Sequence, residues 1–215
     1  MSFQENAGER KADAAIHGVG VAFGIVAVAA LAVLAIDHVR TRDLVSLGLY
    51  AFGLFAMLTC SALYNLARNG RHADMLRRVD HAVIYVMIAG TYSPIAVMAV
   101  GGARGGALFA FVWVTALVGA ALKLLLPHRF ERLSLVLWLA LGWTVLAVIQ
   151  PLRESMAPTG LLLLGAGCLL YSIGVIFHLW RRLPYHNAIW HGFVLAAAAC
   201  HYMAVVGLTA AHTMA

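Results

Sequence analysis

Six residues of this 215-residue chain could do chemistry where chemistry is least expected, inside or at the edge of long apolar stretches: Ser61, Asn65, Asp80, His81, Asn187 and His191. Ionisable and strongly polar groups are costly in a hydrocarbon environment and mark functional candidates by default. Ser61 and Asn65 are four residues apart, as are Asn187 and His191, so each pair shares one face of a helix. A further histidine, His17, opens the first apolar run. The convergence of these residues at one depth is the strongest functional signal in the chain. The plainer alternative is a hydrogen-bonded polar plug that links neighbouring helices. His186 lies five residues before His191, about 140° around a helix, so a regular helix does not aim both at one ligand. His201 lies roughly 15 Å further along, too deep to join His191 directly.

The elements that must position these groups follow from composition. The chain is 63% hydrophobic and only 11% charged, with a mean hydropathy of +0.87. A soluble domain is about 45–50% apolar and about 25% charged, so a soluble enzyme, a nucleic-acid binder and a disordered protein are poor readings. Apolar runs fall at 14–36, 43–67, 81–100, 107–126, 133–151, 161–180 and 189–211. Each is long enough to cross a hydrocarbon core of roughly 30 Å as a helix. The alternating ten-residue segments of a β-barrel are not seen. The expected fold is therefore all-α: an integral membrane protein built as a seven-transmembrane-helix bundle. A polar N-terminal segment, 1–13, precedes a seven-helix domain over 14–215. The first run is too long for a signal-peptide core and is expected to be a retained span.

Lysine and arginine orient the bundle. Eleven of the fifteen fall on one side: Arg10 and Lys11; Arg68, Arg71, Arg77 and Arg78; Lys123, Arg129 and Arg132; Arg181 and Arg182. Arg40, Arg42, Arg104 and Arg153 fall on the other. The positive-inside rule then places the N-terminus in the cytoplasm and the C-terminus outside. In this orientation His17, Ser61, Asn65, Asp80, His81, Asn187 and His191 all lie in the cytoplasmic third of the bilayer. Cys60, Cys168 and Cys200 sit inside apolar runs without C-x-x-C spacing and read as small core residues.

Other polar residues have plainer roles. His38, His72, His128 and His212 lie in or beside connections and read as solvated surface. His178, beside Trp180, Arg181 and Arg182, reads as a headgroup anchor for the sixth span. Pro94, in Gly90-Thr91-Tyr92-Ser93-Pro94, is expected to kink the third span and free a carbonyl for a side chain or water.

Four stretches carry a family resemblance: Ser61-Ala-Leu-Tyr; Arg77-Arg78-Val79-Asp80-His81 leading into Ile84-Tyr85; Ala89-Gly90-Thr91-Tyr92-Ser93-Pro94; and Leu183-Pro184-Tyr185 followed by Ala188-Ile189-Trp190-His191. On these the chain resembles the bacterial hemolysin III family, a branch of the progestin and adipoQ receptor superfamily, over essentially all seven spans. The resemblance implies a multi-pass protein of the bacterial inner membrane. It also implies a zinc ion near the cytoplasmic face, held by a histidine four residues after the second-span serine and by an H-x-x-x-H pair opening the seventh span. The third-span aspartate is expected to hold a water at the metal. Carried over residue by residue, the metal positions are Asn65, Asn187 and His191, with Ser61 and Asp80 as the tentative catalytic or water-holding groups and His17 and His81 as other pocket residues. Two of the three ligand positions are thus Asn. The family's Glu and Asn ahead of the first-span histidine are also changed, to Arg10 and Asp13. Zinc prefers imidazole and thiolate to a neutral amide oxygen. The cofactor expectation is therefore zinc bound weakly or not at all, unless His186, His81 or His17 moves in.

Three functions follow from the resemblance. The first is a membrane-homeostasis or sensing protein whose pocket is a degenerate form of the family zinc site. The second is a zinc-dependent lipid amide hydrolase, ceramidase-like. The third and lowest is a pore, since no ring of charged residues recurs across several spans. The partners expected are membrane lipids and a lipid or small hydrophobic ligand, with no nucleic acid.

Overall fold

The computed structural model describes residues 7–36, 39–68, 70–126 and 131–213, and every regular element among them is helical. The helices are α1 (Ala7–Ala35), α2 (Thr41–Ala67), α3 (Ala73–Pro94, continued by a π-helical turn, Ile95–Val100), α4 (Gly102–Leu125), α5 (Glu131–Trp143), α6 (Ile149–Ser155), α7 (Pro158–Leu179) and α8 (His186–Thr213). A 3₁₀ stretch, Thr144–Val148, joins α5 to α6, so that Leu133–Ser155 forms one crossing. Seven helical segments are long and apolar enough to cross a membrane, one for each apolar run in the sequence. Helices suit that environment because each satisfies its own backbone hydrogen bonds.

The helices overrun the apolar runs at most ends, and at the first span the difference matters. Helix α1 begins at Ala7, so the last half of the polar segment 1–13 forms its opening turns. Its buried residues, Glu9, Asp13, His17, Gly20, Gly24, Ala27, Leu31 and Ala35, recur every three to four residues and form one inward stripe.

Helix α3 is the centre of the bundle: 67% of its most apolar stretch is buried, against 17% for the Leu133–Ser155 crossing. It packs against α2 through glycines. A Cβ on Gly90 would meet the Leu49 carbonyl at 2.9 Å, and one on Gly53 would meet Met87 Cα at 3.1 Å, the close approach typical of membrane helices. Polar side chains link the rest. Trp113 donates to Ser93 Oγ at 3.0 Å, Tyr92 to the Gly142 carbonyl at 2.7 Å, Trp143 to Ser172 Oγ at 3.0 Å, and Tyr202 to the Ala27 carbonyl at 3.0 Å.

At Pro94 the backbone changes register instead of simply bending, because α3 passes directly into the π turn. Thr91 and Ser93 donate to the carbonyls of Met87 and Ala89, each at 3.0 Å, one turn back. Gly101, with φ of 61°, then ends the turn in a conformation that favours glycine.

His72 is exposed, as expected of a surface residue. His212 is not: its Nε2 lies 3.1 Å from the Met98 carbonyl of the π turn, so it ties the last turn of α8 to the end of α3. The surface reading fails because a connection-adjacent histidine here faces a backbone carbonyl across the bundle. His38 and His128 lie outside the described residues.

Candidate metal centre and ligand cavity

Asp13 and His17 are one helical turn apart on the buried stripe of α1, and α8 brings His191 against both. His191 Nδ1 lies 2.6 Å from Asp13 Oδ1, and His17 Nε2 lies 3.8 Å from the same oxygen. The two imidazole rings are 4.4 Å apart between centroids. Asn65, from the last turn of α2, donates its amide to the other carboxylate oxygen of Asp13. Asp13 is 2% exposed and His17 8%, so this constellation is withdrawn from solvent. One donor atom from each of Asp13, His17 and His191 lies within 4.8 Å of the others, a group that could hold a metal ion.

The chemistry of the donors fits zinc. One carboxylate with two imidazoles is a three-ligand set of the kind found at zinc sites that leave a fourth position open. His17 Nε2 is buried and has no hydrogen-bond partner among the described residues. A buried nitrogen left without a partner is costly unless something else engages its lone pair or proton.

The residues expected from the sequence take different places. His191 belongs to the cluster. Asn65 touches it through Asp13 instead of standing as a third donor beside His191. Asn187 lines the cavity described below, as does His186, which does not join the cluster. Of the three histidines able to replace the missing imidazoles, His17 is the one that approaches His191. Asp80 is buried and within electrostatic range of Ser61 and His191. His81 lines the cavity described below but does not join the cluster, its ring edge-on to Trp138 at 5.9 Å. His201 is buried deeper in the bundle, with Nε2 3.2 Å from the Leu164 carbonyl.

Asp13 was not among the site residues expected from the sequence, although it carries the cluster. The signal was present: Glu9, Asp13 and His17 recur at four-residue spacing in line with Gly20 and Gly24. A reading that starts the first span at residue 14 leaves Asp13 outside it.

The centre opens on a cavity of about 1490 Å³ that runs among the helices. Its depth is apolar, lined by Met87, Ile95, Leu139, Val145 and Leu164, while basic residues from several helices line it near the end that carries the N-terminus. His178 belongs to this lining, its ring 5.2 Å from Trp190, and so has an inward role that a headgroup anchor lacks.

Seven membrane-length helices around a polar-to-apolar cavity, with a candidate Asp–His–His cluster in its lining, define a multi-pass membrane protein. Comparison with known proteins specifies which kind. The chain belongs to the haemolysin III family: residues 10–202 match the family described as Haemolysin-III related. It is 35% identical to the "Hemolysin-3 homolog" of Bacillus subtilis (strain 168), over 92% of this chain and 93% of that protein. It is 34% identical to "Hemolysin-3" of Bacillus cereus, over 92% and 90% of the two chains. The human "Monocyte to macrophage differentiation factor" is 29% identical over 73% of this chain and 67% of its own length. No solved structure matches.

Proposed function

We propose that this chain acts in membrane homeostasis or sensing, by holding a lipid-like molecule in its cavity beside a divalent cation of the zinc class. The observation that carries this reading is the convergence of Asp13, His17 and His191 at the wall of a cavity with an apolar depth. Bound there, zinc would supply positive charge and a Lewis acid to whatever polar group the ligand presents. Asp13 and the two imidazoles would hold the ion, and Asn65 fixes the orientation of the Asp13 carboxylate. The arginine bias of the sequence puts this centre on the cytoplasmic side.

The carboxylate changes the balance drawn from the sequence. Asn65 and Asn187 are weak replacements for imidazole, but Asp13 brings a negative charge that an amide lacks. Zinc affinity therefore depends on Asp13 and His17 more than on the two Asn positions. Full-length protein in nonionic detergent, equilibrated with zinc and passed through a desalting column, is expected to retain about one ion per chain. Asp13→Ala and His191→Ala are expected to retain almost none. Zinc content at background in the unmodified protein would overturn the metal assignment.

A second reading, a zinc-dependent lipid amide hydrolase, is favoured by one specific contact. Asp80, buried and in range of both Ser61 and His191, is placed to accept a proton beside the centre. Release of fatty acid from a lipid amide that requires added zinc and is lost in Asp80→Asn would establish it. Zinc-loaded protein without turnover leaves the homeostasis or sensing reading in place.

A further inference from the structure

A second part of the cavity lining is built from different chemistry than the Asp13 centre. Lys123, in the last turn of α4, is only 3% exposed, and among the described residues it makes no hydrogen bond or ion pair. Its ammonium lies 5.9 Å from the centre of the Trp138 ring. The carboxylate in electrostatic range of Lys123 is Glu131, which Arg77 already engages at 2.6 Å. Two cations therefore share one carboxylate. Arg181 and Arg182 line the same cavity and add further positive charge.

Two more nitrogens on this wall, Trp138 Nε1 and His178 Nδ1, are buried with no hydrogen-bond partner among the described residues. Both residues line the cavity. An indole N–H can only donate, and burying it unmet costs about 1–3 kcal/mol. A lysine buried near an apolar interior with no acid of its own is likewise retained against a cost.

We propose that Lys123, Arg77, Trp138 and His178 form an oxyanion subsite that receives the phosphate headgroup of a single-chain amphiphile, whose acyl chain runs into the apolar depth of the cavity. This rests on the lipid-holding reading above and adds the class of headgroup. Phosphate fits better than carboxylate, because it carries more charge and offers three terminal oxygens to cations and donors on several helices. The chain has room: from His81 to Ile95, both in the cavity lining, α3 rises roughly 20 Å.

Binding of fluorescent 1-oleoyl-lysophosphatidate and 1-oleoylglycerol to the full-length protein in nonionic detergent tests the proposal, since the two probes differ only in the phosphate. The lysophosphatidate is expected to bind at least about tenfold tighter, the effect of one charge-assisted hydrogen bond. Lys123→Met is expected to bring the two affinities within about threefold while leaving the oleoylglycerol unchanged, and Lys123→Arg to keep the preference. Trp138→Phe, which keeps the ring and removes the N–H, gives a smaller loss in the same direction and serves if Lys123→Met does not fold. Competition by millimolar inorganic phosphate would mean that the subsite takes the free anion as well. Resistance to it would mean that the acyl chain is required. Either result supports the subsite. Equal affinity for the two probes, or equal weakening of both by Lys123→Met and Trp138→Phe, would overturn it while leaving the lipid cavity intact. Failure of both probes to bind would overturn the cavity reading and this one together.

Discussion

The two walls of the cavity solve the problem of buried charge in opposite ways. On the α1–α2–α8 side, Asp13 is saturated: His191, Asn65 and His17 surround its two oxygens, and one carboxylate organises the whole group. On the α3–α4–α5–α7 side, donors outnumber acceptors. Arg77 takes Glu131, Lys123 lies over the Trp138 ring, and Trp138 Nε1 and His178 Nδ1 have no hydrogen-bond partner among the described residues. A wall where two imidazoles meet one buried carboxylate, with His17 Nε2 left without a hydrogen-bond partner among the described residues, is preorganised for a small cation. A wall rich in unmet donors is preorganised for an anion that arrives from outside. The same sequence arithmetic, a formal net charge of +6 concentrated on one side of the bundle, underlies both. On the second wall the carboxylate, Glu131, is already taken by Arg77.

Substitutions that touch one wall and spare the other would break or sharpen this contrast. The largest effect is expected at Asp13. Asp13→Ala should lower zinc affinity by at least about 100-fold, more than the 10–100-fold typical of groups that only support a ligand, while leaving the lysophosphatidate preference intact; equilibrium dialysis and the probe titration check the two halves. Next comes Gly119→Ala, which disturbs the cationic wall by bulk alone. A Cβ there would run into the Tyr85 ring, which packs edge-on against Trp138 at 5.7 Å. A stability loss of about 1–3 kcal/mol, read by thermal unfolding in detergent, should come without a change in zinc content.

Asn65→His works in the opposite sense. It returns an imidazole to the family's ligand position beside Asp13 and should tighten zinc binding by about tenfold, near the effect of one supporting group. No change would mean that the His17 and Asp13 donors already satisfy the ion. The smallest effect is expected for Arg77→Leu. That bridge is 34% and 42% exposed on its two sides, so its loss should cost only about 0.5–1 kcal/mol. A much larger loss would show that Arg77 is held in place by more than Glu131.

The sequence made the spans legible because each is a long apolar run and the bilayer allows little else. It also brought Ser61, Asn65, Asp80 and His191 to one depth, and the structure keeps them near one another. Two things were less visible. The polar opening of α1 looks like a tail, because hydropathy cannot separate a solvated segment from a helix turn whose polar face points inward. Asp13 was lost for that reason. The cationic wall was hidden by a different ambiguity: Lys123, Arg77 and Arg181 counted as topology signals, and a charge count does not say which way a side chain turns. His178 and Trp138 carry no spacing signal at all, since their partners come from other helices.

Asp80 and His81 are consecutive residues of α3, yet one serves Ser61 and the His191 centre while the other meets Trp138. Their separation is fixed by the pitch of a single rigid rod, about 100° of turn and 1.5 Å of rise. The two walls therefore have no independent suspension. Any torque that turns α3, whether from a ligand pressing on one wall or an ion drawing in the other, is felt at both.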